Sequence, residues 1–144
     1  MEDKSIMVIE SDLIIAYFKK SDWLKQTAEH IFDKIEQGEL KNIILPTEVF
    51  HELYYVFRDY VDISTIQKIE AYLISFKNLK LVTVSAETYL SALTIMNLYN
   101  VTSIFDAIYA AVALSPENPD YTILSTDRVY DKIENLIRID PRDI

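Results

Sequence analysis

The sequence predicts a three-layer α/β fold, in which a mainly parallel sheet of about five strands lies between two layers of helices. Short apolar runs alternate along the chain with longer segments whose apolar residues recur at helical spacing. This alternation is typical of parallel sheets covered by helices on both faces. Of the 144 residues, 50% are hydrophobic and 26% are charged, which suits a packed core. We therefore expect one domain over residues 1–144.

Five short segments are the predicted strands. The first segment is a short continuous apolar run, which is typical of a strand buried on both faces of a sheet, whereas residues 79–84 alternate as a strand. The last segment is expected to lie at a sheet edge. The segments cover residues 5–9, 42–45, 79–84, 121–124 and 136–139.

Helices are predicted between the strands from apolar spacing and from capping residues. Ser21 is expected to cap the second helix, in which Trp23 and Leu24 begin an apolar stripe. Gly38 follows at the position of a C-terminal cap, and Thr47 opens the next helix. The other predicted helices cover residues 11–19, 62–76, 85–99 and 103–114, with a short helix from residue 126.

The composition excludes several kinds of site. The chain contains no cysteine, which excludes disulfides and thiolate metal sites. His30 and His51 are too few for a zinc site built on imidazole. A bound metal would therefore have oxygen ligands, which favours Mg²⁺ or Mn²⁺.

The chain ends and the net charge bear on location and partners. Residues 1–4 lack the features of a signal peptide, and no apolar run approaches the roughly 20 residues that span a bilayer. We therefore expect a cytoplasmic protein that is not in a membrane. The net charge of −9 argues against binding to nucleic acid, although cations held by an acidic site would offset much of it.

Acidic residues follow the predicted strands. Glu10 and Asp12 come directly after the first strand, and Asp127 follows the fourth. In open α/β sheets ligands bind beyond the carboxyl ends of the strands. Helices that could return to the same edge carry Glu52 and Asp106. Converging carboxylates repel unless cations lie between them, and phosphodiester cleavage by two metal ions uses such a cluster.

Simpler structural roles are open for most of these acids. Asp106 follows Ser103 by three residues, as in a capping box, and Asp127 could cap the short helix that follows it. Glu10 could be a solvated loop residue, and Asp12 lies in a first helical turn, where acids are favourable. Glu52 differs, because its carboxylate lies beside an apolar stripe, where a lone charge is costly.

Four stretches in register resemble the PIN-domain ribonucleases, especially VapC-type toxins. Residues 8–17 resemble the first strand and helix of that family, and residues 45–53 resemble the segment that supplies a helix glutamate, here Glu52. Residues 105–111, Phe-Asp-Ala-Ile-Tyr-Ala-Ala, and residues 124–130, which include Ser-Thr-Asp, resemble its two later motifs. The resemblance implies a PIN-like fold with strand order 3-2-1-4-5.

The resemblance also implies a function. It implies Mg²⁺- or Mn²⁺-dependent cleavage of single-stranded RNA by Glu10, Glu52, Asp106 and Asp127, with Asp12 as a further metal ligand. It implies a homodimer and a cognate antitoxin protein as partner. Thr126 could support the site, or it could be a helix cap. Three cations that flank the expected site are candidate phosphate contacts, with solvated surface cations as the simpler interpretation: Lys19, Lys20 and Arg128.

One position departs from the family pattern. The first acid is usually Asp, and here it is Glu10, whose carboxylate reaches about 1.5 Å further. Either Glu10 still binds metal, or Asp12 substitutes for it, or activity is weakened.

Three alternatives remain beside the nuclease. The first is a PIN-like scaffold that has lost catalysis and acts only by binding. The second is a haloacid-dehalogenase-like phosphatase, since Glu-Ser-Asp follows the first strand, although Glu10 is a poor substitute for the Asp nucleophile. A phosphorelay receiver fits less well, because no lysine stands in the required place.

Overall fold

The computed structural model describes residues 6–116 and 118–144. Five strands, all paired in parallel, form one sheet in the order β3-β2-β1-β4-β5. The predicted fold class and strand order are confirmed. The strands are β1 (Met7–Ile9), β2 (Ile43–Pro46), β3 (Leu79–Val82), β4 (Thr122–Leu124) and β5 (Ile137–Ile139). The predicted start of the first strand at Ser5 lies outside the described residues.

In the part of the chain that the structure describes, six α-helices cover the sheet. The short 3₁₀ helix Arg128–Lys132 precedes β5, and the 3₁₀ helix Pro141–Asp143 follows it. Among the described residues, no helix is both long and apolar enough to pass through a membrane. The α-helices are α1 (Ser11–Phe18), α2 (Lys25–Glu36), α3 (Glu48–Phe57), α4 (Ile63–Ser75), α5 (Ala86–Tyr99) and α6 (Ile104–Ala113).

The three inner strands, β1, β2 and β4, contribute to two separate cores, because successive side chains of a strand point to opposite faces. Ile9 and Leu45 belong to the core on the α1–α4 face. Val8, Ile44 and Ile123 belong to the core on the α5–α6 face. Burial on both faces explains why these three strands are continuous apolar runs rather than alternating ones.

The start of α2 differs from the prediction. The helix begins at Lys25, with Leu24 as its N-cap, so the prediction that Ser21 caps it is wrong. Asp22 causes the delay, because its carboxylate accepts a hydrogen bond from the Leu24 backbone N–H at 2.9 Å and its carbonyl accepts one from Lys25. Trp23 consequently lies in the loop before the helix and is 72% exposed, rather than packed in the core.

Other predicted boundaries are close to the observed ones. Gly38 has a φ of +79° just beyond the end of α2, as a C-terminal cap requires, and Thr47 is the N-cap of α3. The predicted third strand extended to Val84, but β3 ends at Val82. The helix expected from Thr126 begins at Arg128.

Candidate active site

The acid-bearing segments meet at the carboxyl edge of β1 and β4. Ile9 pairs with Leu124, and the Glu10 backbone N–H donates to the Leu124 carbonyl at 3.2 Å. Glu10 and the residues after β4 are thereby neighbours, although they are over 110 positions apart in the sequence. Contacts of α3 with α1 and with α6 bring Glu52 and Asp106 to the same edge.

Glu10 is the most enclosed of the five acids, with 5% of its surface exposed. The hydroxyl of Ser11 donates to its Oε1 and the hydroxyl of Ser125 to its Oε2, both at 3.0 Å. Burial raises the pKa of Glu10 well above its usual value, and the negative charges of Asp12 and Asp106 raise it further. Glu10 is therefore a buried carboxyl group whose charged form is less favourable than that of an exposed glutamate.

Ser11 links two of the acids. Its Oγ lies 3.0 Å from Glu10 Oε1 and 2.9 Å from Glu52 Oε2. A serine hydroxyl carries one proton, so it can donate to one of these carboxylates at a time. The other close contact is then favourable only when that carboxyl group is itself protonated. This geometry agrees with the raised pKa values of both glutamates.

Asp12 is fixed to the loop after β4. Its Oδ2 accepts hydrogen bonds from the backbone N–H and the hydroxyl of Thr126, at 3.1 and 2.8 Å. Its Oδ1 accepts one from the Leu13 backbone N–H at 2.8 Å. Thr126 therefore supports the site by holding Asp12 rather than by capping the following helix, whose cap is Asp127.

Glu52 has the features expected of a cation ligand. Burial is the largest influence on its pKa and raises it, the nearby hydroxyls of Tyr109 and Ser11 lower it, and the charge of Asp106 raises it again, so that the pKa is about 7. Among the described residues, neither the buried Glu52 Oε1 nor the Tyr109 hydroxyl makes a hydrogen bond of good geometry. A buried carboxylate oxygen without a well-formed hydrogen bond is costly, so this atom is available to a cation.

Asp106 and Asp127 combine a structural role with a place in the cluster. Ser103 caps α6 by accepting from the Asp106 backbone N–H, and Asp127 Oδ1 accepts from Val129, as the capping interpretations predicted. The pKa of Asp106 is nevertheless raised to about 6, by burial first and then by the charges of Asp127 and Asp12. Capping uses the Asp106 backbone and one Asp127 oxygen, which leaves both residues able to act in the site.

An open groove of about 410 Å³ lies over part of this cluster. Glu10, Asp12 and Asp127 line it, and Trp23 lies at its wall. Lys19 and Lys20 line a separate cleft of about 530 Å³. Arg128 is exposed beside Asp127. The structure therefore does not bring Lys19 and Lys20 into the acidic groove.

The donor set can be compared with the needs of a divalent ion. All five acids supply oxygen, which Mg²⁺ and Mn²⁺ prefer, and Glu52 Oε1 is unpartnered. In the part of the chain that the structure describes, however, no three Asp, Glu or His side chains are grouped so that they could hold a metal ion. The chemistry of the donor set fits a hard cation, although the carboxylates are not gathered around one point.

Four functional residues were missed by the sequence interpretation: Ser11, Ser125, Tyr109 and Tyr130. Tyr130 is fully buried, and burial followed by the charges of Glu10 and Asp106 raises its pKa, so it remains a protonated neighbour of the acids. The spacing contained a signal, because each tyrosine follows an acid of the site by three residues.

The comparisons with known proteins agree with this architecture. A family model for the PIN domain matches residues 7–136. The chain belongs to the PIN domain family, which confirms the resemblance seen in the sequence. The search of curated proteins gave no match.

Solved structures of similar fold include a toxin and a toxin–antitoxin complex. The toxin VapC20 of Mycobacterium tuberculosis, described as cleaving the Sarcin-Ricin loop, has a TM-score of 0.69 at 14% identity, covering 85% of this chain and 90% of its own. VapBC2 from Rickettsia felis has 0.67 at 16% identity, covering 93% and 97%. A toxin–antitoxin complex from Klebsiella pneumoniae has 0.66 at 12% identity, covering 94% and 97%. At such identities the similarity establishes the VapC-like fold.

Proposed function

We propose that this protein is a metal-dependent endoribonuclease that cleaves single-stranded RNA. The observation that carries the proposal is the convergence of acids at the carboxyl edge of the sheet. Burial and the repulsion between their charges raise the pKa of Glu10, Glu52 and Asp106 there. A protein retains such an arrangement at a cost in stability, and bound cations would offset that cost. The family match favours this reading over the haloacid-dehalogenase-like phosphatase.

Each residue has a role in the proposed reaction. Bound Mg²⁺ or Mn²⁺ would activate a water molecule and stabilise charge on the scissile phosphate. Glu52, Asp106 and Asp127 would hold the metal, together with Glu10 or Asp12. Ser11 and Ser125 orient Glu10, and Thr126 orients Asp12. Tyr109 encloses the inner side of the site and excludes water from Glu52.

The biological setting is part of the same proposal. The Klebsiella neighbour is described as a toxin–antitoxin complex and VapC20 as a toxin, and we propose that this chain is the toxin of a type II pair with a cognate antitoxin. We also propose that it acts in the cytoplasm, as a homodimer in which residues 1–144 form a single domain.

A cleavage assay tests the proposed function. The wild-type chain and Asp127→Asn would be incubated with a mixed pool of single-stranded RNA, with Mg²⁺, with Mn²⁺ and with a chelator. We expect cleavage only by the wild type with metal, and a loss of about 100-fold or more in Asp127→Asn, the scale of removing one preorganised charged group from an active site. Equal residual cleavage by both proteins would indicate a contaminating nuclease and contradict the proposal.

A catalytically weakened scaffold is the second candidate, and the state of Glu10 favours it. Both oxygens of Glu10 accept from serine hydroxyls, and its pKa is raised well above the usual value. A carboxyl group that is enclosed and already accepts hydrogen bonds at both oxygens must give up contacts, and any bound proton, before it can bind a metal. On this reading the chain binds its partners but cuts RNA slowly or not at all.

Two alanine variants assign the role of the first acid. If Asp12 has taken over, we expect Asp12→Ala to lower cleavage by about 100-fold or more, whereas Glu10→Ala retains most of it. The opposite pattern would show that Glu10 is the ligand. Measured in the same assay, an inactive wild type with intact RNA binding would support the scaffold instead.

A further inference from the structure

Trp23 is an exposed aromatic side chain at the wall of the acidic groove. It is the only tryptophan of the chain and is 72% exposed. The groove that it lines also contains Asp12, Thr126 and Asp127. A large apolar ring gains little stability in such a position, and most of its surface is accessible to a ligand in the groove.

The loop that carries Trp23 is held in place from both sides. Asp22 accepts a hydrogen bond from the Leu24 backbone N–H. On the other side the Lys25 ammonium group donates to the backbone carbonyls of Tyr17 and Lys19, at the end of α1. These contacts fix the backbone around Trp23 without burying its ring. The indole is therefore presented at a defined position, which reduces the ordering cost of any contact it makes.

Arg142 supports the ring from the C-terminal 3₁₀ helix. Its guanidinium carbon lies 5.5 Å from the centroid of the Trp23 ring, within the range of a cation–π interaction. Asp140 holds that guanidinium through its Nε at 2.9 Å and through a second contact at Nη2. Since the indole is still 72% exposed, Arg142 leaves most of the ring accessible.

The charge of the groove limits what the ring can bind. Glu10, Asp12, Asp22 and Asp127 line the same groove, so it offers little attraction to phosphates without a bound cation. Stacking on an aromatic ring needs no positive charge, because every base has an aromatic face. Unpaired bases can stack in this way, whereas bases inside a duplex are already stacked on their neighbours.

We propose that Trp23 stacks on an unpaired base of single-stranded RNA and so positions the strand beside the acidic cluster. This inference rests on the proposed function and specifies its substrate contact: the strand is held at a base by the α1–α2 loop, with its backbone directed over Asp12 and Asp127. Trp23 is a positioning residue in this scheme, since no reacting atom contacts it.

Tryptophan fluorescence tests the contact directly, because the single indole is the reporter. A short single-stranded RNA and the same RNA as a duplex would be titrated, with Mg²⁺, into an Asp106→Asn chain that does not cut it. We expect saturable quenching by the single strand and much weaker quenching by the duplex. With end-labelled RNA, Trp23→Ala should bind about 5- to 150-fold more weakly, and Trp23→Phe should retain part of the affinity.

A matched control is Tyr121→Ala, which removes an exposed aromatic ring at the opposite, amino edge of β4; it should bind RNA as before. Unchanged binding by Trp23→Ala, equal quenching by the duplex, or no RNA binding would overturn the inference. If the wild type cleaves RNA and Trp23→Ala cleaves it with the same kinetics, the nuclease proposal stands and the stacking proposal is rejected. If RNA quenches the fluorescence saturably but the wild type does not cleave it, the stacking proposal stands and the nuclease proposal is rejected.

Discussion

Asp106→Asn is expected to remove cleavage and, in the absence of metal, to make the protein more stable. The carboxylate is partly buried, and its pKa is raised from 3.8 to about 6 by burial and by the charges of Asp127 and Asp12. A neutral amide of the same shape removes that repulsion. We expect a gain of about 1–2 kcal/mol in unfolding free energy at pH 7.5, after discounting for the partial exposure of the group, and a loss of cleavage of about 100-fold or more.

The two changes would be measured as melting temperature with a chelator and as cleavage rate with Mg²⁺. Asp33→Asn is the matched control, because Asp33 is exposed on α2 and lies outside the groove; it should alter neither quantity much. A less stable Asp106→Asn protein would mean that Asp106 is held by favourable contacts rather than by repulsion. Full activity in the variant would remove Asp106 from the mechanism.

Raising the pH is expected to destabilise the metal-free protein, and divalent metal is expected to restore it. The folded-state pKa values of Glu52, about 7, and Asp106, about 6, lie above their ordinary values of 4.5 and 3.8. The folded state therefore binds more protons than the unfolded state between these limits, and stability decreases with pH there. The stability is fully present below about pH 4 and is lost by about pH 7 for these two groups, and the raised pKa of Glu10 acts in the same direction.

The free energy of unfolding of the metal-free protein should decrease by about 2–4 kcal/mol in total, after allowance for solvent screening. The decrease would be followed as melting temperature from pH 5 to 8 with a chelator, and again with Mg²⁺ and with Mn²⁺. Metal at about 100 times its Kd should return about 2.7 kcal/mol. Glu52→Gln should flatten the chelator profile. A profile that rises toward pH 8 without metal would show that the acids are not buried together, and absence of a metal effect would count against the nuclease.

The sequence predicted the sheet well because its signals were local. Continuous apolar runs and the glycine and threonine at positions 38 and 47 placed strands and helix ends within a few residues. The start of α2 was missed because Ser21 is a good cap by residue type, whereas Asp22 captures the Leu24 backbone N–H. That choice depends on loop geometry rather than on composition.

The acids were predicted, but their surroundings were not. Ser11 contacts Glu52 across 41 sequence positions and Ser125 contacts Glu10 across 115. No local pattern encodes which serine meets which carboxylate, because such contacts arise only when the sheet has formed. The surroundings of Glu10 and Asp12 also differ. Glu10 lies between the hydroxyls of two buried serines, and Asp12 is held at the groove by Thr126.

Three consecutive residues after β4 each connect to a different acid. Ser125 bonds to Glu10, Thr126 bonds to Asp12, and the charge of Asp127 acts on Asp106. The backbone of this tripeptide is anchored in turn by Arg138 of the edge strand β5, whose Nη1 donates to the Ser125 carbonyl at 3.1 Å. The edge strand β5 thus supports a tripeptide that acts on Glu10, Asp12 and Asp106 together, so mutational drift in β5 would be expected to impair several acids of the site at once rather than one ligand at a time.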